Sequence, residues 1–209
     1  MRATGRAAIV MAATATLLGG GTASAANEFV VNDNGSAVLV DVAYARDGVD
    51  GYVYGWQQKN GDGYVSLFEM SGSVVQCAGQ STRRESDDVF GFVGSYRYGE
   101  GTGSVTTGTR YATGSLTGMV ESYRDDFDEC AGTYETTYAG ALPVRVDVTA
   151  TGPVETTRGR NGYHVPSLFN GHYGFSFTSR TATGTATIGG VASAADGQVG
   201  KTTWTYHAN

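Results

Sequence analysis

Apolar and polar residues alternate with period two along most of this chain. The longest run is 133–152, where Tyr134, Tyr138, Leu142, Val144, Val146 and Val148 hold even positions and Glu135, Thr137, Arg145, Asp147 and Thr149 odd ones. Side chains of a strand alternate faces, so the pattern predicts one buried and one wetted face. The parity does not slip across Gly140 and Pro143, although Pro143 suggests an edge, bend or break because it cannot donate to a ladder.

Shorter runs repeat the signal. Val38, Val40, Val42 and Tyr44 share a face, then Tyr52, Tyr54 and Trp56, then Phe90, Phe92, Tyr96 and Tyr98, then Leu116 and Val120, and finally Trp204 and Tyr206. All are expected inside. Asp47-Gly48-Val49-Asp50-Gly51 reads as a turn, Asn60-Gly61-Asp62-Gly63 as a tight hairpin connection, and Gly-Glu-Gly-Thr-Gly at 99–103 as a third turn. Residues 80–88 and 124–129 read as polar loops, 153–172 as the least regular part, and 189–197 as small and flexible. No window carries a capped helical stripe. The pattern predicts an all-β, antiparallel sandwich or barrel of roughly seven to ten short strands. A membrane barrel would need strands of about ten residues with a continuous apolar outer band, and the second face here is Thr, Arg, Asp and Glu.

The first residues stand apart. Arg2 and Arg6 precede an uncharged apolar run, Ala7 to Leu18, and small residues follow at Ala23-Ser24-Ala25. Residues 1–25 are thus expected to be a signal peptide cleaved near Ala25/Ala26, leaving 26–209 as one all-β domain that is secreted and extracellular. The apolar run is too short for a transmembrane segment. Loss of the two arginines takes the formal charge from −6 to −8. Such an acidic chain repels phosphate backbones, so nucleic acid is not an expected partner. In an oxidising compartment the two cysteines, Cys77 and Cys130, are expected to form a disulfide.

Residues 58–69, Gln-Lys-Asn-Gly-Asp-Gly-Tyr-Val-Ser-Leu-Phe-Glu, resemble a calcium-binding EF-hand loop. The resemblance makes Asn60, Asp62, Ser66 and Glu69 candidate calcium ligands, with Gly63 at the sharp turn. Gln58 stands where that family has Asp, and strands flank the loop in place of helices. The competing reading is a plain hairpin without a cofactor. Asp125, Asp126, Asp128 and Glu129 form a second candidate calcium cluster, against which stands a solvated acidic loop.

Common hydrolase and zinc signatures are absent from the sequence. His164, His172 and Glu155 in the 153–172 stretch are candidates for a catalytic site. Trp56 and Trp204, with Tyr52, Tyr54 and Tyr206, are candidates for a sugar-stacking platform, against a default place in the core. Enzymatic activity is not assigned. The leading expectation is a non-enzymatic extracellular module that binds a protein or carbohydrate. The alternatives are a hydrolase using the His164/His172 stretch, and an enzyme inhibitor presenting loop 80–88.

Overall fold

The computed structural model describes residues 31–59, 61, 63–77, 90–165 and 169–208. The expected signal peptide 1–25, Asn60, Asp62, the expected loop 80–88 and the side chain of His164 lie outside the described part. Nine strands follow in order: β1 (Val31–Arg46), β2 (Val49–Gln58), β3 (Gly63–Gln76), β4 (Phe90–Thr107), β5 (Thr113–Asp128), β6 (Thr133–Ala150), β7 (Glu155–Val165), β8 (Phe169–Ile188) and β9 (Val191–Ala208). One short 3-10 turn, Thr109–Tyr111, links β4 to β5.

All pairings are antiparallel, in the order β6-β5-β4-β3-β2-β1-β9-β8-β7, and β6 also pairs with β8. That last pairing closes the sheet into a ring of β1–β6, β8 and β9. Residues 144–150 of β6 line one edge of β8 at 182–188, and β7 continues along the same edge at 169–179. At each end of the ring a four-stranded wing projects: β3–β6 at one end (71–76, 90–96, 123–128, 133–138), and β7, β8, β9 and residues 31–36 of β1 at the other.

The strands run from 10 to 20 residues and are longer than the pattern predicts. The Gly-rich stretch 99–103 is not a turn but the middle of β4. A Cβ on Gly101 would lie 1.9 Å from the Met119 carbonyl oxygen, so glycine permits close approach of β4 and β5. Stretch 124–129 is mostly the end of β5, 155–165 and 169–172 lie in the paired strands β7 and β8, and 191–197 opens β9. Among the described residues the two-residue turns are Asp47-Gly48, with φ of 48° and 76° and with 49–51 already in β2, and Gly189-Gly190, with φ of 58° and 88°.

Residues opposite one another in the ladders share a face, which fixes the inside of the ring. It is filled by Val40, Val42, Val53, Val65, Leu67, Val105, Leu116, Val120, Val144, Val146, Val148, Ala182, Ala186, Ile188, Ala195 and Val199. Tyr44 is the one fully buried aromatic in this core among the described residues. An eight-stranded ring has room for side chains of this size and little more. The inner rows Val38–Tyr44, Leu116/Val120 and Val144–Val148 thus match expectation.

Tyr134 and Tyr138 do not. They are 67% and 60% exposed. Ser122 opposes Gly140, yet Tyr123 opposes Tyr138, so Ala139 is an extra residue and β6 slips by one. Such a bulge exchanges the two faces of everything before it. Gly140, at φ 94°, adopts the left-handed backbone there. Phe90, Phe92, Tyr96 and Tyr98 are likewise not core residues: Phe90 and Tyr98 are exposed and the other two half-buried.

The apolar interior and charged outer face are the inverse of a membrane barrel, whose lumen is polar and whose outer belt is apolar. Glu100 faces Glu121 on the outside, and Arg145 and Asp147 pair there at 2.6 Å. No helix among the described residues is long and apolar enough to cross a membrane.

Cys77 and Cys130 form a disulfide with Cα atoms 5.1 Å apart. It ties the end of β3 to the β5–β6 turn at the tip of one wing, and is compatible with secretion. Closing 53 residues corresponds to about 4 kcal/mol in the loop-entropy model. Opening at a wing tip is partly local, so Cys77→Ser with Cys130→Ser is expected to lower unfolding stability by about 2–3 kcal/mol, measured by urea titration. Unchanged stability would show that the bridge constrains nothing.

Candidate functional site

Unlike Tyr44 of β1, the large aromatic rings of β3–β6 stand outside the narrow ring interior, and there they gather. Phe92 stacks on Phe127 at 5.3 Å between ring centroids, Phe127 on Tyr96 at 4.7 Å, and Tyr96 meets Phe68 at 5.6 Å. A second row runs Tyr98–Tyr123 at 5.9 Å and Tyr123–Tyr138 at 5.5 Å, edge-on. The ladder register places Tyr52, Phe68, Tyr98, Tyr123 and Tyr138 in one line across five strands. Phe68, Tyr98, Tyr123, Tyr134 and Tyr138 are all exposed.

Carboxylates are set among these rings. Tyr134 donates to Asp125 Oδ2 at 2.6 Å, and Tyr138 donates to Glu121. That bond to the carboxylate raises the Tyr138 pKa, with burial adding to the shift. Asp125 is buried on this outer face, and its Oδ1 has no hydrogen-bond partner. Glu100 and Glu121 stand directly opposite each other and are exposed, a like-charge cross-strand pair that opposes stability.

The other face of the same wing is polar. It borders an open cavity of about 580 Å³ lined by Ser71, Ser95, Arg124, Asp126, Asp128 and Glu135, among others. Arg124 pairs with Asp126 at 2.8 Å. Deeper, where the ring begins, Glu69 is buried. It accepts from Tyr44 at 2.6 Å, Arg46 at 2.9 Å and Arg97 at 3.0 Å.

The residues singled out in the sequence fall in several places. Glu69 is inside the ring, while Ser66, three residues before it, points outward, so the two do not converge on one ion. Asp125 and Asp126 face opposite sides of β5, Asp128 accepts from the Ala131 amide at 2.9 Å, and Glu129 from the Phe92 amide at 2.7 Å. Among the described residues no group of three or more His, Cys, Asp or Glu is placed to hold a metal ion. Glu155 opposes Ser179 whereas His172 opposes Gly162, seven residues along β7 and about 23 Å away at strand rise. Those two form no dyad, and His172 does not line the cavity.

Trp56 and Trp204 are half-buried on the outer face, which corrects their default place in the core. Trp56 lies beside Tyr64 at 6.1 Å, and Trp204 covers Gly35 on the opposite wing, beside Phe175 in register. They occupy two separate patches. The β3–β6 array itself was missed because alternating aromatics read as core. The available clue was the opposite parity of β4 in the ring, Gly99, Gly101, Gly103 and Val105, whose small size suits the inside of a tight ring.

Burial and neighbouring carboxylates shape the phenols. Burial, with Glu69 alongside, raises Tyr44; burial, with Asp41 alongside, raises Tyr52 and Tyr54; burial and Glu100 push Tyr64 up to about 12. With folded-state values above the unfolded value of 10, the stabilisation is present in full below pH 10. It is lost as pH climbs from 10 through the raised values. Alkaline titration is expected to show the phenolates of Tyr44, Tyr52, Tyr54 and Tyr64 appearing only above pH 10, in a wave coincident with unfolding. One wave near pH 10 with the fold intact would contradict it.

Comparison with protein-family profiles, with curated proteins and with solved structures finds no match to this chain.

Proposed function

We propose that this is a secreted, non-enzymatic binding protein whose outer face on β3–β6 takes an extended, uncharged glycan. The observation that carries the reading is the two-row array on the outer face, exposed at Phe68, Tyr98, Tyr123 and Tyr138 and half-buried at Tyr96 and Phe127, interleaved with carboxylates. Aromatic faces supply apolar area against the C–H faces of sugars. Glu100, Glu121 and Asp125 supply acceptors, and tyrosine hydroxyls donors and acceptors, for sugar hydroxyls. The Glu100–Glu121 pair sits at the rim of the array despite its electrostatic cost. The acidic chain disfavours polyanions. A line of rings across five strands suits a polymer of repeating flat units better than a single small molecule.

The hydrolase reading loses Glu155 as a partner of His172, and the inhibitor reading rests on loop 80–88 outside the described residues.

Co-sedimentation of the mature protein with insoluble cellulose and chitin, and affinity electrophoresis in xylan and dextran, tests the proposal. Retention by at least one of these polymers is expected, weakened at least tenfold in Tyr98→Ala/Tyr123→Ala and unchanged in Tyr173→Ala on the far wing. No retention by any of the four, or retention indifferent to the double substitution, would overturn it. Circular dichroism of each variant keeps loss of binding separate from loss of fold.

A further inference from the structure

The chain has three histidines, His164, His172 and His207, and the topology brings all three to the tip of one wing. His172 of β8 and His207 of β9 are direct cross-strand partners. His172 is flanked on its other side by Gly162 of β7, and His207 by Asn32 of β1. His164 stands two register positions from that row, opposite Asn170. His172 and His207 are both exposed. The His172 imidazole rests over Gly162 of β7, its Nδ1 3.3 Å from where a Cβ would stand, so the ring must swing across β8 toward β9 to meet His207.

From this juxtaposition we propose that His172 and His207 form a surface chelate for a divalent late first-row metal ion. Directly opposed residues of an antiparallel pair have Cβ atoms about 4.5–5.5 Å apart. Two imidazole nitrogens projecting from that base reach one ion at the usual metal–nitrogen distance of about 2.0–2.1 Å. Imidazole suits Cu, Ni and Zn, and among divalent ions Cu²⁺ binds such nitrogen donors most strongly. Two protein ligands leave the rest of the shell to water, which fits an open surface site and not a closed structural one. The ion would clamp β8 to β9 at the end of the wing where neither strand belongs to the closed ring. The site is remote in the fold from the aromatic face on β3–β6, and stands or falls without it.

The test uses tag-free mature protein titrated with CuCl₂ alone, followed by calorimetry and by the nitrogen hyperfine pattern in electron paramagnetic resonance. One ion per chain with two coordinating nitrogens is expected. His172→Gln and His207→Gln should each weaken binding at least tenfold, in the range by which support of a metal ligand affects affinity, and the double variant should abolish it. Cu²⁺ should also raise the melting temperature of the parent and leave that of the double variant unchanged. Both substitutions are at exposed strand positions, and circular dichroism without metal confirms that the variants fold. Binding that survives in the double variant, or that is lost in His164→Gln but kept in both single variants, overturns the assignment. So does absence of binding by the parent.

Discussion

Val146→Asp is expected to unfold the protein, while Tyr138→Ser leaves it folded and within about 1 kcal/mol of the parent. Both positions are even-numbered members of one alternating strand, and the bulge at Ala139 separates their fates. Val146 is 0% exposed. It opposes Leu116 on one side and Ala186 on the other, so it stands at the seam where β6 closes the ring. A carboxylate there has no partner, which costs several kcal/mol, and the lost valine burial adds about 1.5–3 kcal/mol. Together these approach the whole stability of an ordinary domain, about 5–15 kcal/mol. Tyr138 loses one edge-on ring contact and one exposed hydrogen bond to Glu121. Asp147→Val, next to Val146 but outside, removes a pair with Arg145 whose side chains are 66% and 49% exposed, so the change should be nearly neutral. Arg145 holds the Asp147 carboxyl below its usual value of 3.8, so what little the pair contributes is present at neutral pH and lost on acidification through that range. Urea titration of the three variants decides the matter. If Tyr138→Ser unfolds the domain as Val146→Asp does, the tyrosine face is core and the bulge is misplaced.

That contrast also marks how far the sequence could be read. Where the inner row is aliphatic, as in Val38 to Val42 and Val144 to Val148, parity alone names the buried face, because a slip would drown the row. Closure of the ring changes the rule for large residues. Inside a ring of eight strands Val and Ala fill the space, so Tyr98 and Tyr123, which an open sandwich would bury, are turned out. The slip at Ala139 leaves no mark on hydrophobicity, since Ala139 and Gly140 are both small and fit either face; only Gly140 hints at it. Gly99 to Gly103 sends a turn signal, yet those residues allow two strands to touch. The face built by β3–β6 depends on register between residues up to 70 positions apart, Phe68 and Tyr138, through three intervening pairings. The juxtaposition of His172 and His207 depends in the same way on how β8 meets β9, and neither residue's local sequence carries it.

Glu69→Ala is expected to cost about 3–5 kcal/mol, in the range for removing one partner of a buried ion pair. Glu69 is 4% exposed and sits where the apolar interior gives way to the polar wing. Its two oxygens collect Tyr44 from β1, Arg46 from the end of β1 and Arg97 from β4. Arg46 carries the link onward to the carbonyls of Ile188 and Val191, on either side of the β8–β9 turn. One carboxylate thus joins β1, β3, β4 and the β8–β9 hairpin across the mouth of the ring. Without it two guanidiniums face each other and the core edge unneutralised. Their side chains keep 17% and 33% exposure, so water softens the penalty and the loss belongs at the lower end of the range. Tyr44→Phe removes only one donor to the charged group and should cost less, about 1.5–3 kcal/mol. Replacing the set together, Glu69→Leu with Arg46→Met and Arg97→Met, should recover much of the loss, because well-filled apolar groups spare the desolvation of all three charges. The EF-hand resemblance makes a different claim for the same residue. If Glu69 were a calcium ligand, Glu69→Ala would matter only with calcium present. As the centre of the Arg46–Arg97–Tyr44 network it should lower the urea midpoint equally in calcium and in chelator, and a loss seen only with calcium would refute this account of the ring mouth.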